Sequence, residues 1–203
     1  MFYTLLIFLT LISSATQLLR CGDLIFVAED NGEFSRAISL ATVNNDSISF
    51  VHVGIINIDI DGQIKVIEAS PKFGVHEINL EDFLRDSPLI VVKRLKKNFS
   101  PQVVVENALK HLNEPYDWWY LPDNGKMYCS ELVYESFMDA EGKKIFKSKP
   151  ISFRDKDGQV PQFWIDLFSK LEVDIPEGVE GTNPNDLAAD KNLFTVLTIS
   201  NQN

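Results

Sequence analysis

Hydrophobic and polar positions alternate in two rhythms along this chain. Short apolar runs rich in Val and Ile read as strands at Leu24–Val27, Phe50–Asp59, Gln63–Ala69, Leu89–Leu95 and Phe194–Ile199. Apolar residues at helical spacing mark other stretches. Phe34, Ala37, Ile38 and Ala41 predict a helix from Phe34 to Thr42. Val104, Val105, Ala108, Leu109 and Leu112 predict one that starts at Ser100-Pro101, with Ser as cap and Pro in the first position, and runs to Leu112. Leu132, Val133, Ser136 and Phe137 predict a helix beginning near Cys129, with Ser130 as its cap and Glu131 at the positive end of its dipole. Asn79 caps a short helix to Arg85, Phe163–Leu171 forms another, and Pro184 opens a turn of helix. Asp61-Gly62 reads as a hairpin turn between two of the strands. Pro71 and Gly74 loosen the chain, which leaves His76 in a loop or at a strand end. Helices and mostly antiparallel strands mix throughout, so the class is α+β.

The chain has 203 residues, 45% hydrophobic and 24% charged, as expected for one globular domain over residues 16–203. The net charge of −10 argues against nucleic acid as a partner and against strong attachment to an anionic membrane. Residues Phe2 to Ile12 are apolar and are followed by Ser13-Ser14-Ala15, which predicts a signal peptide over 1–15 and export to a periplasm or medium. No Lys or Arg precedes the run. The alternative is a cytoplasmic protein whose first apolar segment belongs to the fold. The run is too short for a stable membrane span. There are two cysteines. Cys21 could be free, lipidated after Leu18-Leu19-Arg20, or joined to Cys129 by a disulfide.

Cys129 carries the candidate chemistry. A cysteine at a helix N-terminus meets orphan N–H groups and the positive dipole end, which favour the thiolate. The bland alternative is a small buried apolar residue. A thiol nucleophile needs a base, and the base needs an orienting group. His111 ends a helix and suits a surface role. His52 lies within Phe50-Val51-His52-Val53-Gly54-Ile55-Ile56, where a buried imidazole needs a partner. Glu68 lies on the adjoining strand, where acidic residues are depleted. A connection with an odd number of residues puts His52 and Glu68 on one face. A three-residue connection pairs them directly, and a two-residue Asp61-Gly62 turn separates them. Ser70 is the spare orienting residue.

Several segments occur together in one order: Gly22-Asp23-Leu24-Ile25-Phe26, His52-Val53-Gly54-Ile55, Ile67-Glu68-Ala69, Tyr116-Asp117, and Tyr128-Cys129-Ser130-Glu131-Leu132-Val133. With Gly181-Thr182-Asn183-Pro184-Asn185-Asp186-Leu187 as a tail element, this resembles the YiiX/YebB-like branch of the NlpC-type cysteine peptidases. The resemblance implies a circularly permuted papain-like fold with an antiparallel sheet and packed helices. It implies Cys129 as nucleophile, His52 as base and Glu68 as orienting acid. Tyr116, Asp117 and Tyr128 are expected near the site, with packing and turn-capping the simpler role for Tyr116 and Asp117. Val51 stands where relatives often carry Ser, which alters the rim of the site.

These readings lead to a thiol hydrolase of an amide or ester bond. Its substrate would be a cell-wall peptide or a lipid-linked acyl group. The alternative is a non-catalytic lipid or fatty-acid binder on the same fold. Trp118, Trp119, Tyr120, Phe163 and Trp164 could line an acyl groove, although such aromatics are more often core. No cofactor and no metal is expected. Asp155-Lys156-Asp157-Gly158 lacks the later ligands of a calcium loop and reads as a turn.

Overall fold

The computed structural model describes residues 17–42, 48–85, 87–96 and 99–200. The expected signal peptide lies outside them. The apolar runs form strands β1 (Leu24–Ala28), β2 (Phe50–Ile58), β3 (Ile64–Ser70), β5 (Leu89–Leu95) and β8 (Leu193–Ser200). A further strand, β4 (Gly74–Asn79), occupies the stretch read above as loop or strand end, and His76 lies inside it. The reason is Gly74. Its φ of +67° reverses the chain, and a Cβ there would meet the Glu114 carbonyl oxygen at 2.2 Å. This glycine therefore begins a strand where its type suggested an interruption.

The sheet order is β4-β3-β2-β1-β5-β8, with every neighbouring pair antiparallel. A two-residue ladder joins β6 (Lys149–Pro150) to β7 (Glu180–Gly181). The helices are α1 (Glu33–Ala41), α2 (Leu80–Leu84), α3 (Pro101–Leu109), α4 (Cys129–Ser136), α5 (Gln162–Lys170) and α6 (Pro184–Ala188). Helix α3 stops before Leu112, because i→i−3 bonds from His111 and Leu112 tighten the chain and Asn113 turns left-handed at φ 70°. Its start is as predicted, with Ser100 Oγ accepting the Val103 N–H at 3.4 Å.

The two faces of the sheet bury different clusters. On one, Phe26, Val53, Ile55, Ile67 and Val91 pack with Leu132, Val133 and Phe137 from α4 and with Val104 and Ala108 from α3. On the other, Ile25, Ile56, Val66, Ile90 and Val92 meet Leu80 and Phe83 of α2. Period-2 alternation along strands buried on both faces accounts for the near-continuous apolar runs.

The two cysteines are free. Cys21 Sγ accepts the Ile58 N–H at 3.2 Å, at the far end of β2 from His52. Six residues of strand span roughly 20 Å, and a disulfide needs Cα atoms within about 7 Å. The Cys21–Cys129 bridge therefore does not form. Beside this segment, Arg94 clamps the fully buried Asp23 with Nε at 2.6 Å and Nη2 at 2.8 Å. Replacing Arg94 with Met strands that carboxylate. We expect a loss of about 3 kcal/mol, read as a lower urea midpoint with an unchanged m-value.

Candidate active site

Helix α4 begins at Cys129 itself, with Tyr128 in the N-cap position. Ser130 is therefore in the second helical position and is not the cap. The Glu131 carboxylate accepts the Tyr128 N–H at 3.4 Å. Burial first, and then the nearby Asp117 charge, pushes Glu131 up to about 8. At neutral pH it is largely the neutral acid, so the expected charge at the dipole's positive end is lost to burial. The Tyr128 hydroxyl accepts the Thr182 N–H at 3.1 Å. A Cβ on Gly181 would lie 2.6 Å from that hydroxyl oxygen, which explains the glycine. Helix α4 is buried on almost every side and packs on β2, β3 and α3.

The imidazole and the carboxylate arrive on strands. Asp59 Oδ1 accepts the N–H groups of Asp61, at 3.0 Å, and Gln63, at 2.9 Å. That organises a connection over 59–63, with Ile58 facing Ile64. An odd connection keeps His52 and Glu68 on one face. The pairing is diagonal and not direct: continuing the register puts Glu68 opposite Gly54. Gly54 has no Cβ to stand in that diagonal; one would meet Val66 Cγ1 at 2.4 Å. His52 Nε2 is hydrogen-bonded to Glu68 Oε2. Nδ1 is the ring nitrogen left for the sulfur. Phe50 and Val53 both belong to the helix-side core, and the β1–β2 register shifts beside them, so the alternation is broken where His52 sits. The ring lies 6.0 Å from Phe83 on the α2 side, and the Cys129 thiol is near enough to favour its charge.

Sequence reasoning missed the second imidazole. His76 on β4 stands directly opposite Glu68, with Nε2 3.2 Å from Oε1. Its Nδ1 lies 3.1 Å from the Gly74 carbonyl oxygen. The signal was the residue pair Val75-His76 after Gly74, too short to separate from a loop. Each Glu68 oxygen thus meets one imidazole, and the carboxylate is buried. Ser70 is not the orienting group here: its buried hydroxyl has no partner among the described residues.

Electrostatics follow this geometry. Burial opposes charge on His52, but Glu68 and Cys129 outweigh it and lift the imidazole from 6.5 to about 10. Burial likewise opposes charge on Glu68, and His52 and then His76 overcome it, holding the carboxyl down at about 2. The hydrogen bond to Glu68 leads the upward shift of His76.

A cavity of about 40 Å³ opens beside Cys129, walled by Val51, Tyr116, Tyr120, Tyr128, Ile151 and Trp164 among others. Tyr116 and Tyr128 line it. Asp117 does not; its carboxylate accepts the Trp119 and Leu121 N–H groups at 2.9 and 2.8 Å and caps a turn. The tail segment closes the same cavity through Thr182, Asn183 and Pro184. Asn185, fully buried, accepts the Phe50 N–H at 2.7 Å and fixes the start of the His52 strand. Among the aromatics flagged in the sequence, Tyr120 and Trp164 reach the cavity. Phe163 and Trp118 pack on Phe34. Asp155 holds a turn through the Asp157 and Gln159 N–H groups.

A buried cysteine opening a helix, packed on an antiparallel sheet that brings an imidazole and a carboxylate alongside, defines the papain-like hydrolase class, with the imidazole ahead of the cysteine in the chain. The chain belongs to the peptidase C92 family, the permuted papain-like amidase enzymes of YaeF/YiiX type, whose model matches residues 18–197. It is similar to the crystal structure of metalloprotein yiiX from Escherichia coli O157:H7. The identity is 23% and the TM-score 0.74, over 89% of this chain and 98% of that one. No curated protein sequence matches the chain. The word metalloprotein describes that relative. Here, among the described residues, no three His, Cys, Asp or Glu side chains are grouped to hold a metal. The His52 and His76 nitrogens that face Glu68 are already engaged with it.

The sign of the pH dependence follows from the two shifts. The lowered Glu68 contributes stability above its ordinary 4.5, and this is lost as pH falls toward about 2. The raised His52 contributes stability below 6.5, and this is lost as pH rises toward about 10. Both describe one pair. Thermal midpoints should therefore peak between about pH 4.5 and 6.5, and Glu68→Gln should flatten both flanks of that profile.

Proposed function

We propose that this amidase-family chain is a thiol hydrolase that cleaves an amide or ester bond with Cys129 as nucleophile, His52 as acid–base and Glu68 as orienting acid. The observation that supports the reading is the His52 ring, bonded through Nε2 to Glu68 and favoured in its charged form by the Cys129 thiol at the start of α4. The raised imidazole favours a thiolate–imidazolium pair. The sulfur attacks the substrate carbonyl, and the carbonyl electron pair moves to oxygen. The Cys129 N–H at the helix N-terminus faces that developing charge. Burial pushes the phenols of Tyr116, Tyr120 and Tyr128 up, so each remains an O–H donor at the cavity wall. His52 gives its proton to the departing amine or alcohol, leaving an acyl-enzyme. It then takes a proton from water as the water adds, and the acid is released.

Glu68 fixes the ring tautomer and steadies the imidazolium. His76 holds the second oxygen of Glu68 and limits its rotation. With the export expected from the N-terminal run, cell-wall peptides stand first among substrates. Lipid-linked acyl groups stand second, because the cavity at the sulfur is small.

The test is labelling with acyl electrophiles followed by turnover on muropeptides and lipid esters. Wild-type protein should label at Cys129, and Cys129→Ala should lose both label and turnover. Glu68→Gln should lower kcat by on the order of 10²–10⁴-fold. An inert Cys129 thiol, or turnover that survives in Cys129→Ala, overturns the reading. Retention of fatty acid without turnover would instead identify a binding protein.

A further inference from the structure

We infer that the cavity beside Cys129 receives the acyl side of the substrate and takes a short acyl group bearing one hydroxyl or amino substituent. The inference rests on Cys129 being the nucleophile. Size is the first argument. The cavity holds about 40 Å³, and one water needs about 10–15 Å³ on that scale. Inside it there is room for about three or four heavy atoms, so the rest of a fatty chain would have to lie outside, in water.

The walls are also hard to move. Trp164 and Phe153 pack edge-to-face with centroids 5.1 Å apart, and Tyr120 closes on each at 5.7 and 5.5 Å. Trp164 Nε1 donates to the Ala37 carbonyl oxygen at 3.2 Å. Widening the cavity means breaking a packed aromatic cluster and a buried hydrogen bond together.

Polarity is the second argument. One hydroxyl on the wall, Ser130 Oγ, is buried and has no partner among the described residues, whereas the Tyr120 and Thr182 hydroxyls meet those of Tyr116 and Tyr128. Ser130 is 1% exposed. A buried hydroxyl left unpaired costs about 1–3 kcal/mol, which marks a place where a ligand group or a water belongs. Ser130 follows the nucleophile by one residue. Thr182 sits on the strip that holds the Tyr128 hydroxyl. Among the described residues no Lys or Arg lines the cavity, so the His52 ring at the sulfur is the cation nearest to an acyl group there.

Reversible aldehyde adducts test this without a known substrate. A thiol adds to an aldehyde to give a hemithioacetal: the S–C bond forms, the carbonyl π pair moves to oxygen, and the thiol proton follows it. Propanal, 2-hydroxypropanal and octanal would each protect Cys129 of the full chain from iodoacetamide, read by mass spectrometry of its peptide. Each constant is normalised to adduct formation with free glutathione. Protection by 2-hydroxypropanal should exceed that by octanal at least about tenfold and should exceed that by propanal. Ser130→Ala should weaken 2-hydroxypropanal more than propanal, and Ile151→Ala should improve octanal. Equal protection by octanal, or no advantage for the hydroxyl in the wild type, overturns the inference and leaves the nucleophile standing. A Cys129 that iodoacetamide does not label, or that no aldehyde protects, overturns both.

Discussion

Glu68 is a carboxylate in a place where a carboxylate is expensive. It sits on a strand interior, buried, with only 9% of its side chain exposed. An unpaired charge there would lose several kcal/mol of hydration. Two imidazoles, one on each neighbouring strand, meet its two oxygens and restore that loss. The pairing fixes the order of β4, β3 and β2 in register as firmly as the apolar face does, since a one-residue slip of either neighbour carries an imidazole to the other face. It also charges His52 in a setting where burial alone would keep the ring neutral.

Much of the remaining structure serves to bring the sulfur to that ring. Helix α4 can start at Cys129 because Tyr128 and Glu131 close its first turn and because the Thr182 N–H pins the Tyr128 hydroxyl. The tail that supplies Thr182 also supplies Asn185, whose side chain holds Phe50 two residues before His52. One segment late in the chain therefore steadies both partners of the proposed nucleophile–base pair. The same tail walls the cavity, so the cavity and the placement of Cys129 and His52 are tied through shared residues.

Parts of this were legible beforehand. The runs around Ile25, Ile55, Ile67 and Val91 are apolar on both faces, and only a sheet covered on each side buries them. Val104, Val105 and Ala108 announce the face of α3, and Ser100-Pro101 its start. The odd spacing needed to put His52 and Glu68 on one face could be stated as a condition. Whether it held depended on how Asp59 folds the turn, and a carboxylate accepting two N–H groups leaves no trace in hydrophobic pattern. Ser130 and Glu131 looked like a cap and a dipole partner because local rules see only the helix. The helix starts one residue earlier, at Cys129, which displaces Ser130 from the cap, and burial beside Asp117 neutralises Glu131.

The amino-acid sequence by itself determined the elements, their faces and the residue types able to perform thiol chemistry, because periodicity and side-chain chemistry are local properties. Tertiary structure alone decided that His76 joins Glu68, that Cys21 lies too far from Cys129 to bond it, and that the space at the sulfur is small. Those facts depend on which strands become neighbours, and neighbours distant in sequence are chosen by the packing of the whole sheet.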